Sequence, residues 1–91
     1  SQSRHGQDRF MISTQTHVNN PEASIDTFAR QFQISQEEAQ IVKQAFYLEQ
    51  GETMFHIINA FTRAAQDVSL SASDSYRLER AGGALLGMVK S

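Results

Sequence analysis

The chain predicts an all-α fold, a small four-helix bundle with an extended or strand-like N-terminal segment, and three observations carry that expectation. Apolar residues recur every three or four positions in four separate stretches, the period of a helix with one buried flank. A capping residue stands at the head of each stretch. One stretch alone alternates apolar and polar residues, so no second strand is expected for it to pair with.

Residues 1–9 are polar and without period, and the alternation begins behind them. Phe10, Ile12, Thr14, Thr16 and Val18 interleave with Met11, Ser13, Gln15 and His17, which predicts a half-buried extended segment. Its backbone donors and acceptors need partners. The expectation is an extended lead-in over 1–19 that stays irregular or pairs with another chain, followed by a helical domain over 20–91.

Asn20-Pro21-Glu22 opens the first helix. The asparagine caps, the proline has its φ preset, and the carboxylate sits at the positive end of the helix dipole. Ile25, Phe28, Ala29 and Phe32 form its apolar stripe. Ser35 with Glu38 has the spacing of a capping box, and Ile34 can staple onto Ala39. This second helix runs to Glu49, with Gly51 expected to supply the left-handed closing residue. Its rows Ala39, Val42, Phe46 and Ile41, Ala45, Leu48 predict contact with two neighbours. Thr53 heads a third helix bearing Met54, Ile57, Ile58, Phe61, Ala64, Ala65 and Val68, the broadest apolar arc and hence the expected central helix. Ser71 or Ser73 caps a fourth, with Leu78, Ala81, Gly82, Leu85 and Val89 along one flank. Gly82, on that flank, predicts a close helix crossing, because an interior glycine is otherwise unfavourable by about 1 kcal/mol.

Ninety-one residues with 40% hydrophobic and 20% charged content fit one small soluble domain. No apolar run is long enough for a membrane span and no leader pattern is visible, so the expected setting is the cytoplasm and no membrane partner is expected. The absence of cysteine removes disulfides, thiolate ligands and thiol nucleophiles. Net charge is −2, with +1 over residues 1–20, −3 over 21–49 and zero over 50–91, unlike the basic footprint of a nucleic-acid binder.

No catalytic constellation, metal site or cofactor site is expected. Glu52 and His56 lie four apart, but two ligands do not complete a zinc site. His5 and His17 have no nucleophile and orienting carboxylate beside them in a fixed element. The hairpin of residues 27–46 has the packing residues of a helix-turn-helix, namely Ala29, Phe32, Ile34, Ala39 and Val42. Its electrostatics oppose DNA. Residues 36–49 hold Glu37, Glu38 and Glu49 against Lys43, and Gln33 stands where such turns commonly have glycine. Phe28, Phe32, Phe46 and Phe61 are expected in the core, whereas Phe10, Met11, Tyr47 and Phe55 are candidates for exposure to a partner.

Residues 52–67, ETMFHIINAFTRAAQD, and residues 77–87, RLERAGGALLG, resemble the C-terminal region of the uncharacterised phage/plasmid-like protein family. The shared pattern is carried by Thr53, Phe55, Asn59, Ala60, Thr62, Leu78, Glu79, Ala81 and Gly82. Phe55 departs from it, since tryptophan often stands there, and Arg4-His5 resembles a pair upstream of the helical region. The resemblance implies the C-terminal piece of a longer protein and a setting in mobile-element DNA transactions. It implies no catalytic residue.

The function expected is a noncatalytic helical domain for protein contact, either self-association or docking on the remainder of a longer chain. Phe10, Ile12, Phe55, Asn59, Thr62 and Arg63 are its candidate surface. The rival is nucleic-acid binding, through the 27–46 hairpin or through Arg63, Arg77 and Arg80 if folding gathers them.

Overall fold

The computed structural model describes residues 12–13 and 15–90. Among these, strand β1 (Ile12–Ser13) is followed by helices α1 (Pro21–Gln31), α2 (Gln36–Glu49), α3 (Met54–Ala64) and α4 (Ala72–Met88), and then by strand β2 (Val89–Lys90). The fold is an all-α four-helix bundle. No helix among the described residues is long and apolar enough to cross a membrane.

The helix starts follow the caps. Asn20 accepts from the Ala23 N–H with Pro21 in the first turn, Ser35 and Glu38 form a reciprocal capping box, and Ser71, not Ser73, accepts from the Asp74 N–H. Each cap satisfies donors that the first helical turn leaves open. At Thr53 the third residue in is His56, whose Nδ1 takes the place a glutamate holds in the usual box, accepting from the Thr53 N–H at 3.4 Å and lying 2.7 Å from the Thr53 hydroxyl.

Helix ends depart further from expectation. α1 closes with Gln33 at φ 60°, while the Ile34 N–H donates to the Ala29 carbonyl at 2.7 Å and the Gln33 N–H to the Arg30 carbonyl at 3.2 Å. That pattern is a Schellman motif, and buried Ile34 supplies its apolar contact. Gln33 therefore adopts the left-handed conformation that glycine would adopt with less strain. At the end of α2 the same conformation falls to Gln50, φ 57°, and not to Gly51, which has no positive φ. Gly51 is needed for another reason: a Cβ there would lie 2.2 Å from Cε1 of the His56 ring.

Each helix packs on the next, α1 on α2, α2 on α3 and α3 on α4. α2 thus has two neighbours, and α3, between α2 and α4, is the central helix. Ile25, Val42, Ile57, Phe61, Leu78 and Leu85 are the largest fully buried side chains, each contributing about 1.5–3 kcal/mol by leaving water. Phe46 is also buried, but Phe28 and Phe32 are half-buried at the margin of the core. Val68 and Leu48 lie outside the apolar faces expected of them. α3 stops at Ala64, which leaves Val68 in the following turn and fully exposed, and Leu48 is 70% exposed at the end of α2.

The extended segment finds partners within the chain. The Val18 N–H donates to the Glu52 carbonyl and the Met54 N–H to the Thr16 carbonyl, around an antiparallel bridge between His17 and Thr53. Ile12–Ser13 pairs in parallel with Val89–Lys90; Ile12 is extended as expected, but Val89, expected on the apolar flank of α4, lies beyond the end of that helix in a second strand too short to show a period.

Candidate functional site

Asn59, Thr62 and Arg63 project from α3, and each has a partner in a neighbouring turn or element. Asn59 Nδ2 donates to Glu49 Oε1 at 3.3 Å and Arg63 Nε to Glu49 Oε2 at 2.5 Å. The Glu49 side chain is 8% exposed, against 55% for Arg63. Glu49 is the last residue of α2, where the helix dipole disfavours a carboxylate; the two donors from α3 compensate and tie the end of α2 to α3. Thr62 donates to the Ile58 carbonyl at 3.2 Å and stands against Gly82 of α4. These three residues join helices, and Arg63 and Thr62 also reach solvent. Phe55 is 50% exposed and sets its ring edge-on to His56, 5.5 Å between centroids. Ile12 lies in β1, and Phe10 lies outside the described residues.

The histidines are placed differently from the Glu52–His56 pairing considered from sequence. Glu52 bonds His17, Oε1 to Nε2 at 3.1 Å, in an exposed pair, while His56 turns to Thr53. Among the described residues no three His, Cys, Asp or Glu side chains converge in a way that would hold a metal ion. Nearby, Tyr47 donates its hydroxyl to the Glu22 carboxylate, and this bond together with the negative charge raises the phenol pKa.

The cations are dispersed. Lys43 is 2.9 Å from Asp26, so the basic residue of α2 faces back onto α1. Arg77 lies 3.3 Å from Asp74 and 3.9 Å from buried Glu38, whose second oxygen has no hydrogen-bond partner. The Arg80 guanidinium lies over the face of the Tyr76 ring, 5.9 Å from its centroid. Arg63 borders a shallow groove with Ile41 and Leu48, whereas Arg77 and Arg80 border a different one.

No protein-family profile, curated protein or solved structure matches this chain.

Arg77 and Arg80 border an open groove along α4. It holds about 340 Å³, with Phe32 on one side, Tyr76 on another, and Ala81 and Ala84 along the α4 side. Sequence reading weighed Arg77 and Arg80 as phosphate contacts but missed the groove. A signal was present: Tyr76, Arg80 and Ala84 recur every fourth residue on a flank of α4 different from the core stripe of Leu78 and Leu85.

Proposed function

We propose that this chain is a noncatalytic helical domain for protein–protein contact, acting in the cytoplasm within a protein of phage or plasmid type. The observation that carries the reading is the surplus of apolar surface beside a complete core. Tyr47, Leu48, Phe55, Tyr76, Leu86 and Met88 are each 47% or more exposed, and the α4 groove offers concave apolar walls. Tyr76 lines that groove, and Tyr47 and Leu48 each border another concavity; exposed apolar groups beside a concavity mark contact sites more often than scattered ones do. The resemblance to the phage/plasmid-like family supplies the setting.

Light scattering on the full chain over a concentration series tests self-association, and a rise in mass with concentration supports it. Cross-linking to the remainder of the longer protein tests docking. A monomer that makes neither contact refutes the reading.

Nucleic-acid binding is the second reading, and the observation in its favour is the turn at Gln33, which has the left-handed residue that helix-turn-helix connections use. Lys43 held by Asp26 and the acidic α2 stand against it. Affinity for duplex DNA that falls steeply with salt supports this second reading; no binding at low salt removes it.

A further inference from the structure

Helix α4 has two working flanks. Leu78, Ala81, Gly82 and Leu85 enter the core. Beside them Tyr76, Arg77, Arg80 and Ala84 face an open trough whose far wall is the half-buried ring of Phe32 at the end of α1. At about 340 Å³ the trough is at the small end of ligand clefts, roughly 300–1,000 Å³, with room for one or two side chains and not for a whole helix. Its apolar surface comes from two aromatic rings and two methyl groups.

The charges that line this trough are both positive, on a protein whose net charge is −2. They differ in availability. Arg77 is answered by Asp74 and by the buried Glu38. Arg80 is exposed, lies over Tyr76, and among the described residues has no carboxylate within ion-pair distance. A guanidinium held over an aromatic face at that distance keeps its N–H groups available to a planar carboxylate. An apolar recess beside one uncompensated cation is complementary to a large apolar side chain with an acid near it. A nucleic acid fits less well, because it would find a single unanswered cation with Asp74 close by.

We propose that this trough is a docking site for an acidic protein segment, which inserts one Leu, Phe or Met side chain between Phe32 and Tyr76 and sets an Asp or Glu on the Arg80 guanidinium. The proposal rests on the protein-contact reading and names the chemistry of the partner.

The test is a selection of random twelve-residue peptides displayed against the full chain, followed by affinity measurements with the enriched peptides on the full chain and three variants. Arg80→Glu reverses the charge. Ala84→Trp fills the trough from an exposed helix position. Arg30→Glu, away from the trough, is the control, and circular dichroism establishes that each variant is folded. The expected result is enrichment of Asp or Glu within four residues of Leu, Phe or Met, with at least a tenfold loss of affinity in Arg80→Glu and Ala84→Trp and none in Arg30→Glu. Recovery of no binders, enrichment of neutral or basic peptides, or affinities indifferent to Arg80→Glu overturns the proposal. It is also overturned if a duplex oligonucleotide occupies the trough in preference to the peptides, or if Arg80→Glu dissolves a dimer of the chain, which would make the occupant a second copy. Self-association that neither variant disturbs, with no peptides selected, removes the trough proposal and leaves the broader contact reading in place.

Discussion

Thr62 of α3 stands directly over Gly82 of α4: a Cβ built on the glycine would lie 3.2 Å from the threonine hydroxyl oxygen and 3.5 Å from the Phe61 Cβ. Helix α4 runs this close to α3 because the glycine is there. Gly83, one residue on, has nothing within 4 Å of its added methyl and is exposed.

The two glycines therefore predict different outcomes. Gly83→Ala gains about 0.5–1 kcal/mol of helix stability with no steric cost, which for a domain of this size raises Tm by roughly 4–8 °C per kcal/mol. Gly82→Ala gains the same propensity but presses on Thr62, so its net effect is near zero, and Gly82→Leu loses about 3 kcal/mol or more. Adding Thr62→Ala to Gly82→Ala restores the full gain. Thermal melts of the single and double variants measure the coupling.

Gly51 and His56 form a second obligatory pair, since an alanine at 51 would put its methyl inside the imidazole ring's space. Gly51→Ala expels the ring and breaks the Thr53–His56 contact at the start of α3, a loss of about 1 kcal/mol as for other caps. In a His56→Ala background the same substitution costs nothing. Denaturant midpoints for the four proteins of this cycle decide the matter.

Glu49 is the shared acceptor of Asn59 and Arg63. Glu49→Ala leaves the half-buried Asn59 amide unpartnered and costs about 2 kcal/mol. Arg63→Gln, at a largely exposed position, costs less than 1 kcal/mol. Reversal of that order in chemical denaturation would show that the exposed guanidinium and not the buried acceptor organises the junction.

Two groups make stability depend on pH at opposite ends of the scale. Asp67 accepts from the Ser69 hydroxyl at 2.6 Å and the Ser69 N–H at 2.8 Å, and these bonds lower its pKa. Its contribution is complete above the ordinary carboxylate pKa and disappears as pH falls through the lowered folded value. Tyr47 has the opposite sign: with its pKa raised by Glu22, its contribution holds below the ordinary phenol pKa and disappears as pH rises through the raised value. Ser69→Ala moves the Asp67 midpoint upward in carboxyl-carbon NMR. Glu22→Gln moves the Tyr47 midpoint downward in absorbance, read in a Tyr76→Phe background.

The helices were legible in the sequence wherever periodicity and a cap agreed, as at Ser35 with Glu38 and at Ser71. Gly82 was legible too, because a glycine on a buried stripe has few uses. Closing residues were not. Propensity assigns the left-handed position to Gly51, yet packing of the His56 ring claims that glycine and leaves the strain to Gln50. Val68 shows the same limit: the helical period continues past Ala64 in the sequence, but the chain has already turned. The trough beside α4 was illegible for a related reason, since Phe32 meets Tyr76 and Arg80 only after three helices have been placed.

Packing of every helix on its chain neighbour has a consequence for biosynthesis. A nascent polypeptide emerging from the ribosome can lay each new helix on one already made, and such near-neighbour assembly belongs to the microsecond-to-millisecond class of folding. The pairing of Ile12–Ser13 with Val89–Lys90 must wait until all four helices have been synthesised.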